Sequence, residues 1–361
     1  MNEASCYESR LKSVHKILKA CEADGMLFTS LENIRYLSGF TGSDGAVVVT
    51  AQKSFFLTDS RYWTQAEAEI KGSEIVHYRR KMEGIASLLS DLKLKNIGFE
   101  SPALTVTLHR SLVEKLGSDV RLLPFEDEIK NLRAVKDPGE LALMRKAIEI
   151  ASGAFDHALT ITREGVLEKD VAFEMEFFMK RNGAESLAFD SIVASGPRAA
   201  LPHGKASDKR ISRGDLILFD YGATFEGYHS DETCTVVCGS PSAEQKKVYQ
   251  IVKDAHDRAV ESVRPGMSIH EVDAAARDYI KECGYGDYFG HGLGHGVGLA
   301  IHEDPTINAE NKGIIQEGMV FTVEPGIYIP NWGGVRIEDM VRVTSNGAEV
   351  LTRVPKELRI I

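Results

Sequence analysis

The sequence has few cysteines. The five in 361 residues are odd in number and scattered (Cys6, Cys21, Cys234, Cys238 and Cys283). This excludes a disulfide framework and fits a reducing compartment, so a cytoplasmic location is expected. There is no apolar run approaching the roughly 20 residues a membrane span needs. The start, Met-Asn-Glu-Ala-Ser-Cys-Tyr-Glu, has neither the basic nor the apolar region of a secretory signal. Basic charge is not in excess: 53 acidic residues against 43 Lys and Arg give a net charge of −10. That balance argues against nucleic acid as a partner. Fixed-period repeats, low-complexity tracts and a Walker A sequence are missing too. Apolar residues are plentiful at 43%. They suffice to bury a core, and the length suggests two domains at about 150 residues each.

Up to about residue 125 the pattern alternates helix with strand, which predicts an α/β domain over 1–125. Leu11, Val14, Ile17, Leu18 and Cys21 recur at helical spacing until Gly25. Gly45–Thr50, Ser54–Thr58 and Ile97–Glu100 read as strands, with an amphipathic helix near 84–94. The charged segment 126–136 reads as a linker. A second domain over 137–361 opens with Asp137 as N-cap, Pro138 at the first helical position and Glu140 in the first turn. Further helices are expected over about 168–181, 243–263 and, from the capping box Ser268-x-x-Glu271, to near Gly284. Strands are expected at 190–194, 216–220, 233–238, 320–324 and 334–343. This second domain is therefore α+β, with antiparallel hairpins and flanking helices.

Two of its hairpins each carry a pair of carboxylates. In Leu216-Ile-Leu-Phe-Asp220 through Asp231, a turn centred between Phe225 and Glu226 puts Asp220 opposite Asp231. In Val320-Phe-Thr-Val-Glu324 through Glu338, a turn centred on Asn331 puts Glu324 opposite Glu338. Cross-strand partners share a face at about 4.5–5.5 Å between Cβ atoms, and carboxylates that close repel unless a cation or proton lies between them. Acidic residues in strands are often solvated. Here Asp220 and Glu324 follow apolar runs, and four buried carboxylates without a cation would be costly. Oxygen donors in this number, with an imidazole, suit two divalent cations about 3.5–4 Å apart.

The imidazole has a source in Tyr288-Phe-Gly-His291-Gly-Leu-Gly-His295-Gly-Val-Gly-Leu-Ala-Ile-His302-Glu-Asp-Pro305. Its glycines let the backbone pass close to a ligand or another strand. The run partly mimics a dinucleotide fingerprint, but it follows a helix and leads into a poor helix start, so nucleotide binding is not expected.

These residues resemble the proline-specific members of the pita-bread metallopeptidases, the family of Xaa-Pro aminopeptidase and prolidase. The resemblance covers essentially the whole chain. Asn33-Ile-Arg-Tyr-Leu-Ser-Gly-Phe-Thr-Gly-Ser and Leu57-Thr-Asp-Ser-Arg-Tyr look like the creatinase-type N-terminal domain, and Asn131–Leu141 looks like the family's entry into the catalytic domain. The likeness implies five metal ligands, Asp220, Asp231, His295, Glu324 and Glu338. Asp231 and Glu338 would bridge two divalent ions, with Mn2+ expected and Co2+, Fe2+ or Zn2+ compatible. It also implies that Glu324 shuttles the proton, that His203 and His302 contact the reacting carbonyl and scissile amide, and that His291 is a further pocket histidine. Arg336 would buttress the carboxylates; the alternative for it is a surface ion pair on an edge strand. Tyr228 and Tyr288 are candidate pocket walls. The expected partner is a proline-containing peptide, and relatives suggest a homodimer.

Two positions depart from the family pattern. Many relatives have an arginine where this chain has Cys234, a loss of a nearby cation; alternation places Cys234 on the face opposite Asp231, for packing rather than metal binding. Some prolidases carry an arginine where this chain has Thr306, and that arginine grips the free carboxylate of a dipeptide. Without such a clamp, the expectation leans to an Xaa-Pro aminopeptidase, with prolidase as the alternative. A metal-free creatinase-type hydrolase or a non-catalytic binding module on the same fold would lack the ligand set.

Overall fold

The computed structural model describes residues 3–361, and the chain divides into two compact units, Met1–Arg133 and Ala134–Ile361. In the first unit, strands β1 (Gly25–Phe28), β2 (Ala46–Thr50), β3 (Ser54–Thr58), β4 (Glu74–His77), β5 (Asn96–Glu100) and β6 (Arg121–Phe125) form one sheet in the order β4-β3-β2-β1-β5-β6. Pairing is antiparallel along β1–β2–β3 and parallel elsewhere. Helices α1 (Glu3–Ala20), α2 (Leu31–Ser38), α3 (Trp63–Glu69), α4 (Lys81–Asp91) and α5 (Val106–Leu116) alternate with the strands. Every residue of β1 to β3 is buried, as in a sheet covered on both faces. Leu27, Val48 and Leu57 pack with Ile85, Leu89 and Leu112. Gly25 does not end the first helix, which stops at Ala20; it opens β1 instead.

The second unit starts where the capping residues place it. Asp137 accepts from the amides of Gly139 and Glu140, and the Glu140 carboxylate accepts from the amide of Asp137. From this box runs α6 (Pro138–Ile161), followed by α7 (Glu168–Arg181), α8 (Ala243–Ser262) and α9 (Ile269–Glu282). The strands are β7 (Ser186–Leu187), β8 (Ile192–Ser195), β9 (Leu216–Tyr221), β10 (Ala223–Phe225), β11 (Tyr228–His229), β12 (Glu232–Val237), β13 (Gly294–Gly296), β14 (Glu303–Ile307), β15 (Val320–Val323), β16 (Gly326–Ile329), β17 (Gly333–Arg336), β18 (Asp339–Thr344), β19 (Gly347–Val350) and β20 (Arg359–Ile360).

Two larger sheets result, β20-β12-β9-β8 and β14-β13-β15-β18-β19, with β11-β10-β7 and β16-β17 as small companions. One apolar core joins α6 and α7 to β9 and β12 through Phe155, Met175, Phe219 and Val236. The other joins α8 and α9 to β15 and β18 through Val252, Ala276, Phe321 and Val341. The expected strand over 334–343 is two strands, interrupted at Ile337 and Glu338.

The hairpin registers decide where the carboxylates go. In the second hairpin the register is the expected one: Val323 pairs Asp339 and Gly326 pairs Arg336. Glu324 and Glu338 therefore face each other in the gap between the two ladders. The first hairpin differs. Asp220 pairs Thr233, not Asp231, and Phe225 pairs Tyr228. The turn falls on Glu226 and Gly227, both with positive φ (44° and 73°), the conformation that matches the right-handed twist of a tight hairpin. The slip is by two residues, so the side-chain period of two keeps Asp231 on the face of Asp220.

Candidate metal centre

Every carboxylate and histidine singled out for metal or substrate lines one cavity of about 410 Å³. Asp220, Asp231, His295, Glu324 and Glu338 meet there with His203, His291 and His302. One ligand atom each from Asp231, His295 and Glu338 lies within 4.8 Å of the others. His295 Nε2 is 3.5 Å from Asp231 Oδ2 and 3.4 Å from Glu324 Oε1. Asp231 and Glu338 are buried to 5% and 2% exposure, which excludes the solvated reading.

Each donor lies on a strand, as Asp220 and His295 do, or directly beside the end of one, as Asp231, Glu324 and Glu338 do. His295 sits on β13 between β14 and β15, and the flanking glycines make that possible. A Cβ on Gly294 would lie 2.0 Å from the Thr322 carbonyl oxygen, and one on Gly296 2.3 Å from that of Asp304. The His295 amide donates to Thr322 Oγ1, and its Nδ1 lies 3.2 Å from the Gly296 carbonyl oxygen. With Nδ1 donating to that carbonyl, Nε2 keeps a lone pair toward the carboxylates.

Arg336 is buried to 3% exposure, so it is not a surface ion pair. Its Nη2 donates to Asp220 Oδ2 at 2.6 Å, and its Nε to Thr233 Oγ1 at 3.0 Å. The Thr233 hydroxyl donates in turn to Glu338 Oε2 at 2.6 Å. One guanidinium thus orients two of the carboxylates, one directly and one through a threonine. Its Nη1 donates to the Pro202 carbonyl and to Tyr328 Oη.

The electrostatics are those of buried donors. Burial pushes the carboxyls of Asp231 and Glu338 well above their usual range, with repulsion from neighbouring carboxylates adding to it. Asp220 is raised by burial despite the opposing pull of Arg336. Glu324 is pushed up to about 7 by burial, against the pull of Arg336. Burial holds His291 and His295 down at about 4 and lowers His302 as well. Asp220 Oδ1 is buried with no hydrogen-bond partner among the described residues. An orphaned carboxylate oxygen beside clustered carboxylates and a neutral imidazole is the donor set that a divalent cation fits.

Around the donors, His302 stacks edge-on against His295 at 4.3 Å between ring centroids. His291 is used at both nitrogens: Nδ1 lies 2.8 Å from the Gly292 carbonyl oxygen and Nε2 3.0 Å from Tyr328 Oη. Its ring carbons are what remains for the cavity. The sequence did not point to Tyr328, although it shares strand parity with Glu324, nor to the cavity residues Phe189, Asp190, Ile192, Pro202 and Lys205. Tyr228 and Tyr288 do not line the cavity; Tyr228 Oη donates to Glu140. Cys234 is buried at the reverse of β12, and the cation missing from its own side chain comes from elsewhere, with Lys356 Nζ 3.6 Å from its sulfur.

Residues 142–345 match the family model of metallopeptidase family M24, and residues 10–135 that of the creatinase/prolidase N-terminal domain. The chain is 43% identical over 355 residues to the Xaa-Pro dipeptidase of Pyrococcus furiosus, covering 97% of this chain and 99% of that one. Among solved structures it is similar to the Xaa-Pro dipeptidase from Bacillus anthracis (TM-score 0.95, 42% identity, 98% and 100% of the two chains). It is also similar to the X-Pro aminopeptidase from Thermotoga maritima (TM-score 0.88, 40% identity, 96% and 100%).

Proposed function

The chain belongs to metallopeptidase family M24, with a pita-bread catalytic domain behind a creatinase/prolidase N-terminal domain; it is a metallo-exopeptidase dependent on divalent metal ions, and we propose that it is an Xaa-Pro dipeptidase working with two of them. The observation that carries this reading is the convergence of four carboxylates and one imidazole in a single cavity. Asp231 and Glu338 would be the shared ligands, Asp220 would complete one site, and His295 with Glu324 would complete the other. Mn2+ is the expected ion, since an oxygen-rich set with one imidazole suits it.

Bound there, the cations supply a nucleophilic water at neutral pH and polarise the carbonyl. The chain's residues do the rest. Glu324, at the edge of the donor set, takes the proton from the attacking water and passes it to the departing proline nitrogen. His203 and His302 hold the carbonyl oxygen and the scissile amide as charge develops. Arg336 keeps Asp220 and Glu338 aimed. The amino terminus of the substrate meets the acidic donors, which favours removal of a single residue. Proline brings no amide hydrogen, so its subsite needs no acceptor. Phe189, Ile192, Pro202 and the carbon edge of His291 provide such a wall.

The sequence leaned to an aminopeptidase because Thr306 cannot grip a carboxylate. The relatives named as dipeptidases support the alternative. So does Lys205, a cavity-lining cation whose side chain is 79% exposed and held by Asp190 at 2.7 Å; its ammonium is the group we assign to the dipeptide's free carboxylate. A cytoplasmic homodimer fits the reading, and none of the described cysteines is in a disulfide. Among the described residues no helix is long and apolar enough to cross a membrane.

The test is to strip the protein with chelator, restore Mn2+ and compare Xaa-Pro with Xaa-Pro-Yaa. Preferential cleavage of the dipeptide is expected. Preference for the tripeptide would replace this reading with aminopeptidase, and turnover indifferent to metal would end both.

A further inference from the structure

Directly behind the metal-centre carboxylates lies a second buried group of charges that the reaction does not use. Asp231 and Glu338 each stand immediately before a strand. The next residue, Glu232 or Asp339, opens that strand with its side chain on the opposite face. Lys356, in the coil between β19 and β20, reaches both. Its Nζ lies 2.6 Å from Glu232 Oε1 and 3.2 Å from Asp339 Oδ1, with side-chain exposures of 7%, 1% and 6% for the three residues.

The two carboxylates belong to different sheets, β12 to one and β18 to the other. Each is held in turn. Glu232 accepts from the Val354 amide and the Ser152 hydroxyl. Asp339 accepts from the Thr352 hydroxyl, and His256 Nε2 lies 3.1 Å from its Oδ2. On the metal side of the same junction, the Glu338 amide donates to the Thr233 carbonyl at 3.2 Å.

We propose that Lys356 is a positioning residue for the metal centre: by drawing Glu232 and Asp339 to one ammonium, it fixes β12 against β18 and so sets the separation of the neighbouring ligands Asp231 and Glu338. The physical reason is the short covalent path. Each tied residue is adjacent in the chain to a ligand, so a shift of either strand start moves a ligand by a similar amount. Without Lys356, Glu232 is left buried with no cation and Asp339 with His256 alone, and repulsion between the two carboxylates acts to part the sheets where the ligands must converge. Groups behind the ligands that orient them typically change metal affinity 10- to 100-fold when removed.

The inference rests on the reading of Asp231 and Glu338 as metal ligands. It is tested on the full chain, stripped of metal and titrated with Co2+, following heat of binding and the visible absorption of the bound ion. In Lys356→Met, Co2+ affinity falls about 10- to 100-fold and the absorption band changes shape, while Lys356→Arg, which keeps the charge, recovers most of the affinity. Should Lys356→Met fail to fold, the double variant Lys356→Met/Glu232→Gln removes the cation together with the charge it neutralises. A folded single or double variant with wild-type Co2+ affinity and an unchanged band overturns the proposal and leaves the ligand assignment intact. A wild-type protein that takes up no Co2+ overturns both.

Discussion

Arg336 shows how much one side chain can hold. It donates to Asp220, Thr233, Tyr328 and the Pro202 carbonyl, a fan of bonds that only a planar guanidinium supplies. A lysine at this position reaches one or two of these acceptors. Arg336→Lys is therefore expected to lose 10- to 100-fold in kcat/KM, and Arg336→Met to lose about 3–5 kcal/mol of stability because Asp220 is left buried and unpaired. Steady-state kinetics and urea denaturation read the two effects. An Arg336→Lys enzyme with full activity would show that the fan has no part in orienting the carboxylates. A second residue-scale expectation concerns Lys205. Lys205→Ala raises KM for Xaa-Pro about tenfold, in keeping with loss of a charge-assisted bond of about 1.5 kcal/mol, and leaves KM for the carboxamide Xaa-Pro-NH2 unchanged. Equal KM changes for the two substrates would remove Lys205 from carboxylate recognition.

At the scale of elements, β13 carries His295 only because its flanking residues have no side chains. The backbone of Gly294 faces the Thr322 carbonyl, where a Cβ would sit at 2.0 Å; Gly290, just upstream, has nothing within 4 Å of such an atom. Gly294→Ala is expected to cost about 1–3 kcal/mol or more by forcing β13 from β15 and to weaken metal binding with it. Gly290→Ala should leave both untouched. Thermal melts of the pair, with and without Mn2+, check this; equal melting temperatures would mean that β13 can yield without moving His295. The hairpin turn is the element that pattern alone misplaced. Alternation fixes a face but not which pair of residues occupies the turn, and the positive φ of Glu226 and Gly227 decides it. Because the error was an even number of residues, the face survived and the site remained legible.

Across the whole molecule, protons and metal compete for the same carboxylates. In the metal-free fold Glu324 is raised to about 7, and burial, with repulsion from neighbouring carboxylates, raises Asp231 and Glu338 well above their usual range. A carboxyl raised in the fold stabilises it below the unfolded value, and that contribution is lost as pH rises through the folded value. The depressed histidines act the other way, and only below about 6.5. Between pH 6.5 and 8 the melting temperature of metal-free protein should therefore fall. The gain on adding a fixed concentration of Mn2+ should grow over the same range, because the carboxyls bind the cation more tightly as they lose their protons; a cation at 100 times its Kd adds about 2.7 kcal/mol. Calorimetric melts at several pH values measure this, and a Mn2+ gain that is constant from pH 6.5 to 8 would contradict the buried-carboxylate account.

The four long helices of the second unit, the capping of α6, the face shared by Asp220 and Asp231 and the pairing of Glu324 with Glu338 follow from the sequence alone, because period, caps and turns are local and act over a few residues. The reach of Lys356 to two sheets at once, the bond of Thr233 to Glu338, the engagement of both His291 nitrogens and the apolar wall formed by Phe189, Ile192 and Pro202 join residues far apart in the chain. No spacing encodes those encounters. They are fixed only when the cores of the two helix pairs close and burial leaves each charge a single set of partners.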